Sequence, residues 1–162
     1  VFTMSSASDL SLQSLALCAA SAFIGAAVAL KLRPSAAVNT AIRRLKPSPR
    51  SCAIVEHNGV VHLSGQVGVI DATTGKLAGD TKQQTRETLA KIDTLLAEAG
   101  TNKHNVLSAM IWVRDIKTDF APMNEVWNEW VADEADRRGV RACVEAHMAR
   151  ETIRVEIKIT AA

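Results

Sequence analysis

The chain has 162 residues, 48% of them hydrophobic and 22% charged, with a formal net charge of +2; that length builds one good core and demands no second. The charge is uneven: six Lys or Arg and no acid lie between Lys31 and Val55, whereas from Ser51 onward 16 acids face 13 bases. A nucleic-acid binder carries its basic stripe on the folded part, so nucleic acid is disfavoured as a partner, and three cysteines without a CxxC spacing and four histidines without HxxxH or HExxH indicate neither a disulfide framework nor a metal site.

Between Asp9 and Lys31 lie 21 uncharged residues, LSLQSLALCAASAFIGAAVAL. As a helix they would span roughly 31 Å, against a hydrocarbon core of about 30 Å. Ser21, Gly25 and Ala29 fall four apart, a small-residue stripe that lets another helix approach. Three readings of residues 1–33 stand side by side. One is a membrane anchor touching the bilayer through residues 10–30, with the basic flank held on the matrix, stromal or cytosolic side. The others are a cleaved targeting peptide for a mitochondrion or plastid and a buried soluble helix. Within residues 34–50, Val38, Ile42 and Leu45 recur at i, i+4 and i+7 opposite Arg43, Arg44 and Lys46. That spacing predicts a short basic amphipathic helix suited to a membrane surface, followed by the linker KPSPR.

The globular domain is expected over residues 51–162. CAIVEH and VVHLSGQVGV read as strands joined by the hairpin dipeptide Asn58-Gly59. TKQQTRETLAKIDTLLAEAG reads as a helix with a capping box at Thr81 and Gln84, an apolar stripe of Leu89, Ile92, Leu95, Leu96 and Ala99, and Gly100 as its C-terminal cap. VLSAMIWVRD is a strand. DFAPMNEVWNEWVADEADR is a second helix, with Phe120, Met123, Val126, Trp127, Trp130 and Val131 as its core face. In VRACVEAH, Val140, Ala142, Val144 and Ala146 alternate with Arg141, Cys143, Glu145 and His147; in the last strand Ile153, Val155, Ile157 and Ile159 alternate with Arg154, Glu156, Lys158 and Thr160. The odd-one-out face of each is polar, so Arg141 and Glu156 read as part of a solvated face or, if the two strands pair, as two polar faces that meet. The order β-β-α-β-α-β-β, with two helices on one face of a mixed sheet, is an α+β fold.

SGQVG after the second strand, TGKLAGDTKQQTRETLAKIDTLLAEAG, DFAPMNEVW, and VRACVE leading to VEIKI resemble the RidA family, also called YjgF/YER057c/UK114, and within it the YoaB-like paralogues. The resemblance spans about residues 50–162. It implies a chorismate-mutase-like fold, a homotrimer with three pockets between neighbouring subunits, and hydrolysis of reactive 2-imino acids or enamines to 2-keto acids and ammonia without a cofactor or metal. It places the arginine of the family at Arg141, its glutamate at Glu156, and further substrate contacts at Asn124, Ser64, Gly65 and Cys143, with Arg141 and Glu156 facing the trimer cleft. A planar guanidinium grips a carboxylate with two parallel hydrogen bonds, and a carboxylate within reach of the imine carbon orients a water. Cys143 lacks a base partner and reads as a pocket wall. The chain departs from the family pattern where SPRSC stands for GPYSQ, where it has no tyrosine, and where HMA at 147–149 stands for RLP, which leaves the preferred substrate open. Two other readings accompany this one: a non-catalytic subunit of a membrane protein complex, and a ribonuclease, the latter opposed by the acidic balance of the folded part.

Overall fold

Asn58 and Gly59 turn the chain with positive φ at both (52° and 75°), the pairing of left-handed residues that matches the twist of two antiparallel strands. They set β2 (Cys52–His57) against β3 (Val60–Leu63). The computed structural model describes residues 41–131 and 138–162. Around that hairpin are β1 (Arg43–Pro47), β4 (Gln66–Val67), α1 (Thr81–Glu98), a 3-10 turn (Lys103–Asn105), β5 (Val106–Val113), α2 (Ile116–Trp130), β6 (Val140–Glu145) and β7 (Val155–Ala161). The strands form one seven-stranded sheet in the order β1-β2-β3-β7-β5-β6, with β4 also on β7; only β5 and β6 run parallel. Both helices cover one face. Ile54, Leu63, Ile111, Ile157 and Ile159 of the sheet pack there with Leu89, Ile92 and Leu96 of α1 and Met123 and Val126 of α2.

Local chemistry sets the helix ends. Asp80 caps α1 by accepting from the Gln83 amide at 2.8 Å, and Gly100 (φ 85°) closes it, with its own amide on Ala97 O at 3.0 Å and that of Thr101 on Leu96 O at 2.9 Å. The expected capping box is not used. Gln84 is buried and faces the segment entering β7: its Oε1 accepts from the Arg154 amide and its Nε2 donates to Thr152 O, both at 2.9 Å. The Thr81 hydroxyl donates to Asp119 of α2. Asp119 is 1% exposed and also receives Arg154 Nη1 at 3.3 Å and the Asp115 amide at 3.2 Å. One carboxylate thereby joins the starts of both helices to the start of β7.

Several expectations are corrected. The amphipathic helix over 35–46 is not formed where the chain is described: residues 43–47 are a strand paired with β2. Leu45 lies opposite Ile54 and packs on the core, while Ile42 is exposed. Arg43 pairs with Glu56 and Lys46 with Glu98 at 2.6 Å each, so sheet pairing outweighs a weak local helical period. The domain therefore takes in residues ahead of Ser51. Phe120 is 40% exposed and outside the core. In β6 the facing is reversed: Val140 and Val144 are exposed, and Cys143 packs against the core. The expected second strand splits at Ser64–Gly65 into β3 and β4. Val38 and the span 10–30 lie outside the described residues, among which no helix is long and apolar enough to cross a membrane.

Removing the buried Asp119 carboxylate would strand the Thr81 hydroxyl and the Asp115 amide and release the half-exposed Arg154 guanidinium to water. Asp119→Ala is expected to lower the unfolding free energy by about 2–3 kcal/mol in urea melts, and a loss under about 0.5 kcal/mol would show that the hub is not structural.

Candidate functional site

Strand pairing decides where the two charged strand residues point. In β5 the buried residues Ala109, Ile111 and Val113 lie opposite Arg141, Cys143 and Glu145 of β6 on one side and Ile159, Ile157 and Val155 of β7 on the other. Partners across a ladder share a face. Arg141 is therefore on the helix-covered face. Glu156 pairs with Trp112 and lies on the opposite, uncovered face with Met110 and Lys158. The two strands are separated by β5 and do not pair, so the idea of their polar faces meeting within one chain is set aside.

The first cluster forms at the edge strand β6. Arg141 Nη1 donates to Asn124 Oδ1 of α2 at 2.7 Å, and its Cζ stands 5.3 Å from the centroid of the Trp127 ring. Among the described residues the guanidinium has no other hydrogen-bond partner, and the residue is exposed. Phe120 lies one turn before Asn124 on α2, so its exposed ring shares that stretch of surface. Trp127 and Phe120 border this cluster although an aromatic stripe on a helix reads first as core; their spacing of three and four residues from Asn124 is the signal in the sequence. Cys143 follows two residues along β6 from Arg141. Burial pushes its thiol above the usual range, against the opposing pull of Arg141.

The second cluster forms where the hairpin strand passes into β4. Pairing runs His62↔Thr160 on β3 but Gln66↔Ile157 on β4, a slip of one residue, so Ser64 and Gly65 form a bulge. Glu156 packs against Gly65 so closely that a Cβ there would overlap its Oε1. Ser64 accepts from Gln66 Nε2 at its hydroxyl (3.0 Å) and its carbonyl (3.1 Å). Helix α1 pins the segment beyond: Lys91 Nζ donates to Val67 O at 2.9 Å and Gly68 O at 2.7 Å, and Glu87 Oε2 accepts from the Val69 amide at 2.7 Å. Burial lowers the Lys91 pKa, with Glu87 acting against the shift. Of the residues singled out from the sequence, Arg141, Asn124 and Cys143 gather at one cluster, and Ser64, Gly65 and Glu156 at the other.

Residues 41–162 match the family model described as Endoribonuclease L-PSP. A RutC family protein of Haemophilus influenzae is 38% identical over 120 residues, 74% of this chain and 97% of that protein. The RutC family protein YoaB of Escherichia coli is 38% identical over 121 residues, 75% of this chain and 97% of YoaB. Among solved structures, a member of the YjgF protein family from Neisseria meningitidis superposes with a TM-score of 0.68 at 44% identity, covering 76% of this chain and 95% of that one.

A thiol held protonated by burial reacts slowly. In a chain carrying Cys18→Ser and Cys52→Ser, Cys143 is expected to be alkylated by iodoacetamide at pH 8 at about one-tenth the rate of a free peptide thiol or less. Alkylation at the peptide rate or faster would reveal an activated thiolate.

Proposed function

The chain belongs to the Endoribonuclease L-PSP family, with relatives described as RutC family and YjgF family proteins, and we propose that it hydrolyses reactive 2-imino acids and their enamine tautomers to 2-keto acids and ammonia. The observation that carries this reading is the Arg141 guanidinium, braced by Asn124 and Trp127 with donors to spare. Those donors suit a carboxylate, which takes two parallel N–H bonds from such a fork. With the acid end gripped, the imine carbon is the electrophile. Glu156 orients a water towards it and takes up a proton as the C–O bond forms. The carbinolamine then collapses: the nitrogen takes the proton back from Glu156, the hydroxyl gives its own to the same carboxylate, the C–N bond breaks, and ammonia and the keto acid leave. Gly65 leaves the Glu156 carboxylate room to stand at the bulge. Cys143, with its raised pKa, serves as wall and not as nucleophile.

Arg141 and Glu156 lie on opposite faces of one sheet, so a single chain does not offer both to one substrate. On this reading each pocket takes Arg141 and Asn124 from one copy and Glu156, Ser64 and Gly65 from a neighbour, in a homotrimer. Exposed Val140, Val144 and Met110 on the uncovered sheet face support such an assembly. RNA cleavage fits less well: a strand of RNA calls for a basic groove along its phosphates, whereas Arg43 and Lys46 of the basic segment are taken up by Glu56 and Glu98.

The purified chain is expected to speed keto-acid release from imino acids generated in situ, and failure on small, branched and aromatic imino acids alike would end the proposal. Arg141→Ala and Glu156→Gln should each lower kcat/KM by about 100-fold or more. Unfolded and refolded together, they should recover about a quarter of the wild-type rate, because random mixing rebuilds one intact interface in four; no recovery would place both residues in a pocket of a single chain. Gly65→Ala displaces the Glu156 carboxylate and should cut kcat by about tenfold or more with an unchanged melting temperature.

A further inference from the structure

Arg141 is a long side chain on an exposed edge strand, and its neighbourhood gives it somewhere else to go. A cavity of about 100 Å³ lies behind it, lined by Val106, Ala109, Trp127, Trp130, Val131 and the arginine itself, among others. One hydrogen bond to Asn124 fixes a single nitrogen and leaves the guanidinium plane free to swing about that contact. The Trp127 face supplies the missing restraint, since a weakly hydrated planar cation is drawn to the ring quadrupole. Trp127 is in turn held. Its ring touches that of Trp130 with centroids 5.2 Å apart and planes at 55°. Trp130 Nε1 donates to both carboxylate oxygens of Asp93 on α1, at 3.0 and 3.1 Å.

We propose that Asp93, Trp130 and Trp127 form a positioning stack that carries the rigidity of α1 across α2 to Arg141 and presents its free edge to the substrate carboxylate. The inference rests on the proposed function for the role of Arg141 and adds how that role is enforced. None of the three residues touches the reacting atoms. Their effect is on recognition of the acid group: loss of the stack raises KM and leaves kcat near its wild-type value, the pattern of an interaction equal in ground and transition states.

The test uses the full chain and two probes, 2-oxobutanoate and its neutral amide, titrated by calorimetry alongside imine turnover. Trp127→Leu is expected to bind the keto acid about tenfold more weakly and the amide within about twofold of wild type; Trp127→Phe, which keeps a ring face, should recover most of the loss. Trp130→Phe keeps a smaller aromatic ring against Trp127 and loses the N–H to Asp93, and a loss of about threefold for the keto acid is expected; this arm decides the matter should Trp127→Leu fail to fold. Equal weakening of both probes, or keto-acid binding unchanged in Trp130→Phe and in folded Trp127→Leu, overturns the stack. Wild-type chain that binds the acid but hydrolyses no imine removes the proposed reaction and leaves the stack to be judged by the same ratios. Wild-type chain that binds acid and amide equally removes both.

Discussion

A strand shows its side chains to alternate faces, and that period of two, locked by the pairing of β6 and β7 onto β5, governs what this chain can do alone. Ala109, Ile111 and Val113 must face the helices, because they fill the core. Every residue registered with them follows. Arg141 is drawn to the helix side, where Asn124 and Trp127 receive it. Glu156, registered with Trp112, is sent to the open side. A shift of one residue in β6 would bring the arginine to the face of Glu156 but would cost the Cys143 contact with the core and the bond from the Ile116 amide to Glu145 at the start of α2.

The second face depends on a break in that same rule. At Ser64–Gly65 the slip in pairing inserts an extra residue, which bends the strand beside Glu156. Such a bulge has to be held from outside the ladder. Lys91 and Glu87 hold the next three residues through backbone groups, and Gln84 holds the approach to β7 in the same way. All three lie on α1 within two turns. The helix that supplies much of the core thus also fixes the relative placement of Gly65 and Glu156, and through Trp130 it reaches the Arg141 side as well.

What the sequence made legible follows the strength of the local signal. Asn58-Gly59, the stripe from Leu89 to Leu96 and the alternation of Ile153 to Ile159 each reflect one dominant force, and the chain obeys all three. Residues 35–46 carry a helical period of only three apolar positions, Val38, Ile42 and Leu45, too little to keep residues 43–47 from pairing with an available edge of β2. In β6 the alternation is genuine but faces the other way from what its apolar residues suggest. Small and branched apolar residues lie on the uncovered face, while the long stem of Arg141 and the Cys143 thiol sit on the covered one. Periodicity alone is blind to that choice, since inverting the strand leaves the pattern intact. The six site residues carried by resemblance fall into two clusters of three, a division no linear spacing reveals.

The separation of those clusters has a consequence for assembly. If one surface offers Arg141 and a different one offers Glu156, the contact between copies is heterologous, and a heterologous contact must close into a ring or run on as a filament. Ring closure would also cover the exposed apolar residues of the open sheet face, Met110, Val140 and Val144, which are costly in an isolated chain. On the proposed reading the same burial that stabilises the ring excludes water from each pocket and delivers the missing carboxylate. On that reading a chain that failed to assemble would lose its chemistry even with every side chain in place, because the proposed pair would be a property of the interface and not of the fold.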